Sequence, residues 1–427
     1  MDDRGRDGVS IRPRLSMMRC QGRSEDPPRM IFIASRWPTQ SRSASFGTMN
    51  QELSPVMQTS VVVVGGGLSG LYTAYCLQQA GVDFQLLEAR ERFGGRILTV
   101  EAGGGGSSEG FDLGPSWFWP GMHPRMAQII HELGLRAFPQ YAVGDVLVER
   151  SQSEPPQRFP TIRHEPLSMR LVGGTGAVVS ALVERLPRER LHLGSRVTRI
   201  LAKEGGLELS FSIGGEDRRL TAAQAVLALP PRLLADTISF EPALETETLG
   251  HWRQTATWMA PHAKFFALYD RAFWRDAGLS GTAQSRVGPL VEIHDATTAS
   301  GAAALFGFVG LTRAQRAEMG AEWLVQASVA QLARLFGPGA AQPRTTLLKD
   351  WTADLLTSTA ADQSAEGHPH PSHGAWITGM WAERVSLAGS ETSANDPGYL
   401  AGALEAAERA AVEVLGRLGQ HGHTSAV

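Results

Sequence analysis

At 427 residues, with 42% hydrophobic and 19% charged residues, the chain can bury a large core and is long enough for two domains. A net charge of −3 argues against a protein-wide basic surface for nucleic acid, and two cysteines, Cys20 and Cys76, are too few for a disulfide framework. No run reaches the roughly twenty apolar residues of a membrane span, the C-terminus included, so a soluble cytoplasmic protein is expected.

Residues 1–57 are rich in arginine, Ser, Pro and Gly and contain no lysine, a composition that cannot bury enough to fold. Their one apolar run, Met30 to Ala34, is shorter than a signal-peptide core, and Asp2, Asp3 and Asp7 do not suit a leader. The segment is expected to be a disordered extension or a misassigned start, with Met49 and Met57 as alternative initiators.

The first strong signal follows. Val61 to Val64 suit a parallel strand buried on both faces, and Gly65, Gly67 and Gly70 supply Gly-x-Gly-x-x-Gly where that strand turns into a helix from Ser69 to about Ala80. The first two glycines let backbone approach a pyrophosphate. Gly70 lets the helix pack on the strand, with its N-terminal amides and dipole facing the phosphates. A second strand, Asp83 to Glu88, ends in a carboxylate about where a ribose-binding acid is needed. Together these predict a dinucleotide site, for NAD or FAD. Cys76 falls within the helix and is expected to be a small buried residue.

Glu88-Ala-Arg-Glu-Arg-Phe-Gly-Gly-Arg96 comes next, and here the chain resembles the flavin-containing amine oxidases, monoamine oxidase among them. The resemblance implies FAD, with Arg90, Gly95 and Arg96 near its phosphates and ring. It also implies an α/β fold, a Rossmann-type FAD-binding domain interleaved with a smaller α+β substrate domain. The FAD-binding domain is expected over 58–120, 171–233 and 345–420, and the substrate domain over 121–170 and 234–344.

Along the chain, a short strand reaching Val100 and a glycine-rich loop, Gly103 to Gly106, precede Phe111-Asp-Leu-Gly-Pro-Ser-Trp-Phe118. The resemblance makes Gly114, Pro115 and Ser116 candidates for ring contact; Trp117 and Trp119 read equally as core. A helix is predicted near Arg125 to Leu133, then a Pro-rich stretch of low periodicity, Glu149 to Pro166. Gly173 to Ala177 opens another helix. Strands are predicted at Ser195 to Ile200, where the family offers an adenine contact at Val197, at Leu207 to Ile213, and at Ala225 to Leu229, which prolines stop. Strand-like runs at Ala263 to Tyr269, Pro289 to His294 and Ala303 to Val309 precede a long helical pattern, Thr312 to Phe336, suggesting a mixed sheet roofing the flavin. Arg384 to Thr392 and Pro397 to Glu405 read as strand, loop and helix opening. In the family this segment lies over the flavin, which nominates Gly389, Ser390, Glu391, Gly398 and Leu400, with the helix dipole near the ring.

Lys264 interrupts an otherwise apolar strand. From its residues alone it is either an edge-strand lysine that snorkels or a functional group with a specific partner. It matches the family lysine that holds a water against flavin N5. Tyr399 matches one aromatic wall of the family's substrate cage. The second wall falls near Ala361, which is not aromatic; Trp117, Trp119 and Trp258 are candidates to replace it. Trp351 is expected to pack on the flavin, and Thr357 to Ala361 lacks the cysteine that would attach it covalently. His368, His370 and His373 alternate with prolines and complete no metal site, so a solvated loop is expected. The expected activity is amine oxidation by hydride transfer to noncovalent FAD, with O2 as acceptor and an amine as substrate. Flavin-dependent desaturation of carbon–carbon bonds and a non-catalytic flavin sensor are the alternatives.

Overall fold

The computed structural model describes residues 29–32, 57–101, 110–161, 166–363 and 367–424. The valine run lies in the strand Met57–Val64, central in a mixed sheet. Phe84–Leu87 and Leu191–His192 extend it in parallel on one side. Glu216–Leu227 pairs in parallel on the other side, and Val385–Leu387 pairs in parallel with the end of that strand. Gly206–Ile213 and Arg196–Lys203 continue antiparallel. Both faces of the valine strand are covered, as its continuous hydrophobicity requires. Val61 and Val63 meet the helices Leu68–Gln79, Gly176–Arg185 and Leu400–Thr424, whereas Val62 and Val64 pack with Leu234, Trp252, Trp376 and Trp381.

The glycine turn is fixed by two steric demands. Gly65 has φ +105°, a left-handed conformation open to glycine. A Cβ on Gly70 would lie 1.8 Å from the Gly65 carbonyl oxygen, so the helix can sit this close to the strand end only without a side chain there.

A second, eight-stranded sheet forms the other unit, in the order Arg29–Phe32, Thr345–Asp350, Ala263–Tyr269, Ala303–Val309, Leu290–Asp295, Leu279–Ser285, Asp145–Glu149 and Gln157–Pro160. Period-two alternation gives Ala263–Tyr269 two distinct faces. Phe265, Ala267 and Tyr269 pack with Leu324, Leu332 and Phe336 of the helix Ala321–Phe336, while Phe266 and Leu268 pack with Phe111 and Leu113 of the nucleotide unit. Lys264 shares the register of Phe266 and so belongs to the second face.

Several expectations change. The long helix is two, Arg313–Met319 and Ala321–Phe336, because Gly320 at φ +83° ends the first after a Thr312–Gln315 capping box begins it. The stretch expected to lack periodicity, Glu149 to Pro166, supplies the strand Gln157–Pro160, which pairs with Asp145–Glu149 in the second sheet. Thr345–Asp350, expected with the FAD-binding segments, pairs with the lysine strand instead. Within the N-terminal extension, Arg29–Phe32 pairs in parallel with Thr345–Leu348; the remainder of residues 1–56 and the Gly103 to Gly106 loop lie outside the described residues. No helix among the described residues is long and apolar enough to cross a membrane.

Gly70→Ala tests the turn. Alanine favours the helix by roughly 1 kcal/mol, yet the backbone contact it creates is well inside van der Waals distance. A net loss of about 1–3 kcal/mol is expected. Thermal unfolding of the flavin-free variant should show a lowered midpoint; an unchanged midpoint would mean the turn yields freely.

Candidate active site

A cavity lies where the two units meet. At one end it is bordered by Gly65, Gly67, Ser69, Glu88 and Arg90, at the other by Gly114, Pro115, Ser116, Lys264, Trp351 and Tyr399, with Gly95, Arg96, Gly389, Ser390, Gly398 and Leu400 also lining it. Three predicted residues do not border it. Gly70 sits beneath the turn, Val197 is a buried strand residue, and Glu391 is fully buried behind Arg96.

The glycine end fits a dinucleotide phosphate. A Cβ at Gly67 would meet no protein atom closer than 3.9 Å, so packing does not demand glycine there; the position borders the cavity, where a side chain would obstruct a ligand. Gly67 also precedes the helix Leu68–Gln79, whose N-terminus has no side-chain cap and no acid in its first turn, leaving its amides and dipole for an anion. The Ser69 hydroxyl is occupied, donating to the Ala388 carbonyl.

Glu88 does more than the sequence suggested. It is buried, its Oε2 accepts from the Gly66 amide at 2.6 Å and its Oε1 from the Arg90 amide at 2.7 Å, so the carboxylate ties strand end, glycine turn and Arg90 together. Each oxygen keeps a lone pair for a ribose hydroxyl. Arg90 donates to Asp354 Oδ1 and Thr357 Oγ1, both at 2.8 Å, and Asp354 also receives Lys349 at 3.3 Å. Burial would raise the Asp354 carboxyl, but Arg90 and Lys349 outweigh it and hold it below the usual range. Arg92 turns away from the cavity and pins the Gly94–Gly95 bend by donating to the carbonyls of Phe93, Gly95 and Ile97. Arg96 makes a bidentate pair with Glu391, at 2.5 and 3.0 Å, and donates to Ser390 Oγ and the Trp258 carbonyl.

Lys264 is not an edge residue. Its strand lies between Thr345–Asp350 and Ala303–Val309, and the side chain is 1% exposed. All three ammonium protons find acceptors: the Asp112 carbonyl at 3.0 Å, the Gly114 carbonyl at 2.8 Å and Ser116 Oγ at 2.9 Å. Three phenylalanine rings enclose it, Phe306 nearest at 4.5 Å. Burial pushes its pKa down to about 7, with Arg170 adding to the effect and the Asp112 carboxylate opposing it. Asp112 is itself raised by burial, against hydrogen bonds from Thr99 and Thr175. Three acceptors suit an ammonium while the dry surroundings favour an amine, so the proton is loosely held.

Near Lys264 the cavity is aromatic. Trp119 stands edge-on to Tyr399, with centroids 6.0 Å apart and planes at 88°; Trp117 lies 6.5 Å from Phe308; Trp258 abuts Gly398. Met259 adopts φ +66°, rare for a side chain of its size, where the chain turns to deliver Trp258. Ala361, near which the second ring was expected, is exposed and does not border the cavity. Trp351 does reach it, its Nε1 donating to the Leu113 carbonyl at 3.0 Å. His370 and His373 are exposed as expected, but His368 is not a solvated residue: it is half-buried between Trp258 at 4.1 Å and Tyr399 at 4.5 Å. His123, missed entirely, is buried behind Tyr399 and contacts Asp396 at 3.2 Å. Sequence carried no local signal for either histidine, since both contacts are tertiary. No group of three or more metal-ligating side chains occurs among the described residues.

The profile of flavin containing amine oxidoreductases matches residues 68–169 and 146–415. A probable flavin-containing monoamine oxidase A of Dictyostelium discoideum is 23% identical over 84% of this chain and 98% of its own length. A putrescine oxidase of Kocuria rosea is 25% identical over 84% and 96%. Among solved structures, cyclohexylamine oxidase from Brevibacterium oxydans superposes with a TM-score of 0.69 at 21% identity, covering 84% of this chain and 99% of that one, which shows the shared fold of a Rossmann-type unit with a second unit. The chain belongs to the flavin containing amine oxidoreductase family and is a flavin-dependent oxidoreductase.

Proposed function

We propose that the protein binds FAD noncovalently and oxidises an amine, with Lys264 and Tyr399 at the reacting end of the cavity. The observation that carries this reading is the placement of a fully buried, fully hydrogen-bonded lysine on the same cavity as the Gly67 helix terminus and Glu88. Bound FAD would accept hydride from the amine's α-carbon and pass the electrons to O2, giving H2O2 and an imine that hydrolyses to a carbonyl product. Noncovalent attachment is supported by the residues near it: Leu356 and Thr357 border the cavity, Thr357 to Ala361 holds no cysteine, and Cys76 lies in the helix Leu68–Gln79 away from the lining.

This chain's residues would then divide the work. The amides at Gly67 and the helix terminus hold phosphate, Glu88 holds ribose, and Arg96 remains locked by Glu391 at the cavity wall. Tyr399, backed by His368 and His123, orients the amine. The Lys264 ammonium presents positive charge where negative charge develops, the preorganised electrostatics of an oxyanion site. Holding a water there would require Nζ to exchange one of its three protein acceptors. Losing its proton near neutral pH would leave two donors and a lone pair, enough to hold or move a proton at Nζ.

Two outcomes are expected. Glu88→Ala should weaken FAD retention by about ten- to hundredfold, since hydrogen bonds to a charged group are worth roughly 1.5–3 kcal/mol; equilibrium dialysis of the folded variant measures it, and unchanged affinity would place the ribose elsewhere. Lys264→Met should keep FAD but slow flavin reduction or its reoxidation at least tenfold, a barrier change of about 1.4 kcal/mol. Stopped-flow absorbance separates the two half-reactions. The pH profile of the affected step should show a limb near 7 that Lys264→Met abolishes, because burial sets the lysine's titration there. Wild-type rates and an unchanged profile in the variant would make Lys264 a structural residue.

A further inference from the structure

Resting on the amine-oxidising reading, we infer that the substrate is a monoamine carrying one bulky apolar group, and not a diamine or an α-amino acid. Around Lys264 the cavity is bordered by Trp117, Trp119, Trp258, Met259, Phe308 and Tyr399. The polar edges of two of these rings are already used. Trp117 Nε1 donates to Gln140 Oε1 and Trp119 Nε1 to Ser168 Oγ, both at 2.8 Å, so what the two indoles offer a ligand is carbon surface. An apolar ring or branched chain covers such walls without leaving a polar group unpaired.

A diamine brings a second nitrogen that stays cationic at neutral pH and must be desolvated on entry, which calls for an anion beside it. Among the described residues bordering the cavity the one carboxylate is Glu88, at the glycine end and engaged with the Gly66 and Arg90 amides. The charged group at the aromatic end is Lys264, of the same sign as the second ammonium. The ring faces would attract a cation weakly, but against that repulsion and without a counter-ion.

An α-amino acid fails for the complementary reason. Its carboxylate needs a cation with free donors. The Arg96 guanidinium spends both terminal nitrogens on Glu391, Ser390 and the Trp258 carbonyl and keeps only its Nε–H, too little for a bidentate carboxylate, and Lys264 already serves three acceptors. The site therefore selects against a second charge of either sign.

Three amines without a hydrogen on the α-carbon test this by binding alone, since they cannot be oxidised: 2-phenylpropan-2-amine, 2,5-dimethylhexane-2,5-diamine and α-methylphenylalanine. Isothermal titration calorimetry on the FAD-loaded protein should give at least tenfold tighter binding for the arylamine than for either other compound, about 1.4 kcal/mol. Trp119→Ala, with flavin content confirmed, should lose about tenfold in arylamine affinity. Equal or tighter binding of the diamine or the amino acid would overturn the inference, as would unchanged affinity in the Trp119 variant. Anaerobic flavin absorbance with benzylamine, putrescine and L-phenylalanine separates the two levels of failure. Reduction by putrescine or L-phenylalanine but not benzylamine leaves amine oxidation standing and the substrate class wrong. Absence of reduction by all three overturns both.

Discussion

A buried ammonium that lacks partners costs several kcal/mol, and the way this chain avoids that cost shapes the whole site. Lys264 belongs to the substrate sheet, but its three acceptors, Asp112 O, Gly114 O and Ser116 Oγ, all belong to the segment between Asp112 and Ser116 on the nucleotide side. The hydrogen bonds therefore cross from one unit to the other, and they use backbone carbonyls that must hold a fixed direction. Asp112 supplies that direction: its carboxylate is anchored by the Thr99 hydroxyl and by the amide and hydroxyl of Thr175, so the strand end cannot rotate. Gly114 reinforces it, because a Cβ there would lie 1.9 Å from the Arg96 carbonyl oxygen. The same segment borders the cavity, so the clasp that satisfies the lysine also fixes the wall of the site.

Charge elsewhere along the cavity is treated the same way. Glu88 holds two backbone amides, Arg90 is shared between Asp354 and Thr357, and Arg96 is locked onto Glu391. Each group is oriented before any ligand arrives, so little ordering remains to oppose binding. It also makes the groups poor partners for an arbitrary charged ligand, since a new bond must replace an existing one. Preorganisation toward a dinucleotide and indifference to a charged substrate thus share one cause.

What sequence could show depended on whether the information was local. The valine strand, the glycine turn and Glu88 were legible because sterics and spacing within one short stretch, Val61 to Glu88, define them. Ala263–Tyr269 and Ala303–Val309 were legible as apolar runs. Leu279–Ser285, mostly small and polar, and the hairpin around residues 145–160 were not, since their strand character comes from pairing with distant neighbours. The same limit explains Lys264. Its isolation in an apolar strand was visible, but whether that strand lies at an edge depends on Thr345–Asp350, some eighty residues further along. His368 was hidden by its setting, because Pro369 and Pro371 after it mark a loop whether or not the ring is packed.

Ala361, where the resemblance puts a second aromatic ring, faces solvent. The loop that would carry it is held by Asp362, which is fully buried and accepts from Arg232, from the Thr257 amide and from Thr359. That anchoring leaves Ala361 exposed while the Thr257 bond fixes the chain immediately before Trp258. From there the left-handed turn at Met259 and the contact with Gly398 set Trp258 against the cavity, where His368 bridges it to Tyr399. One buried carboxylate thus directs two segments at once, turning a small residue outward on its own loop and an indole inward on the next. Trp258, Trp119 and Tyr399 thus line one cavity from three different parts of the chain. The shape left between these indoles and Tyr399 is therefore set by contacts far apart in sequence, the Asp362 anchor on one side and the Gly398 approach on the other.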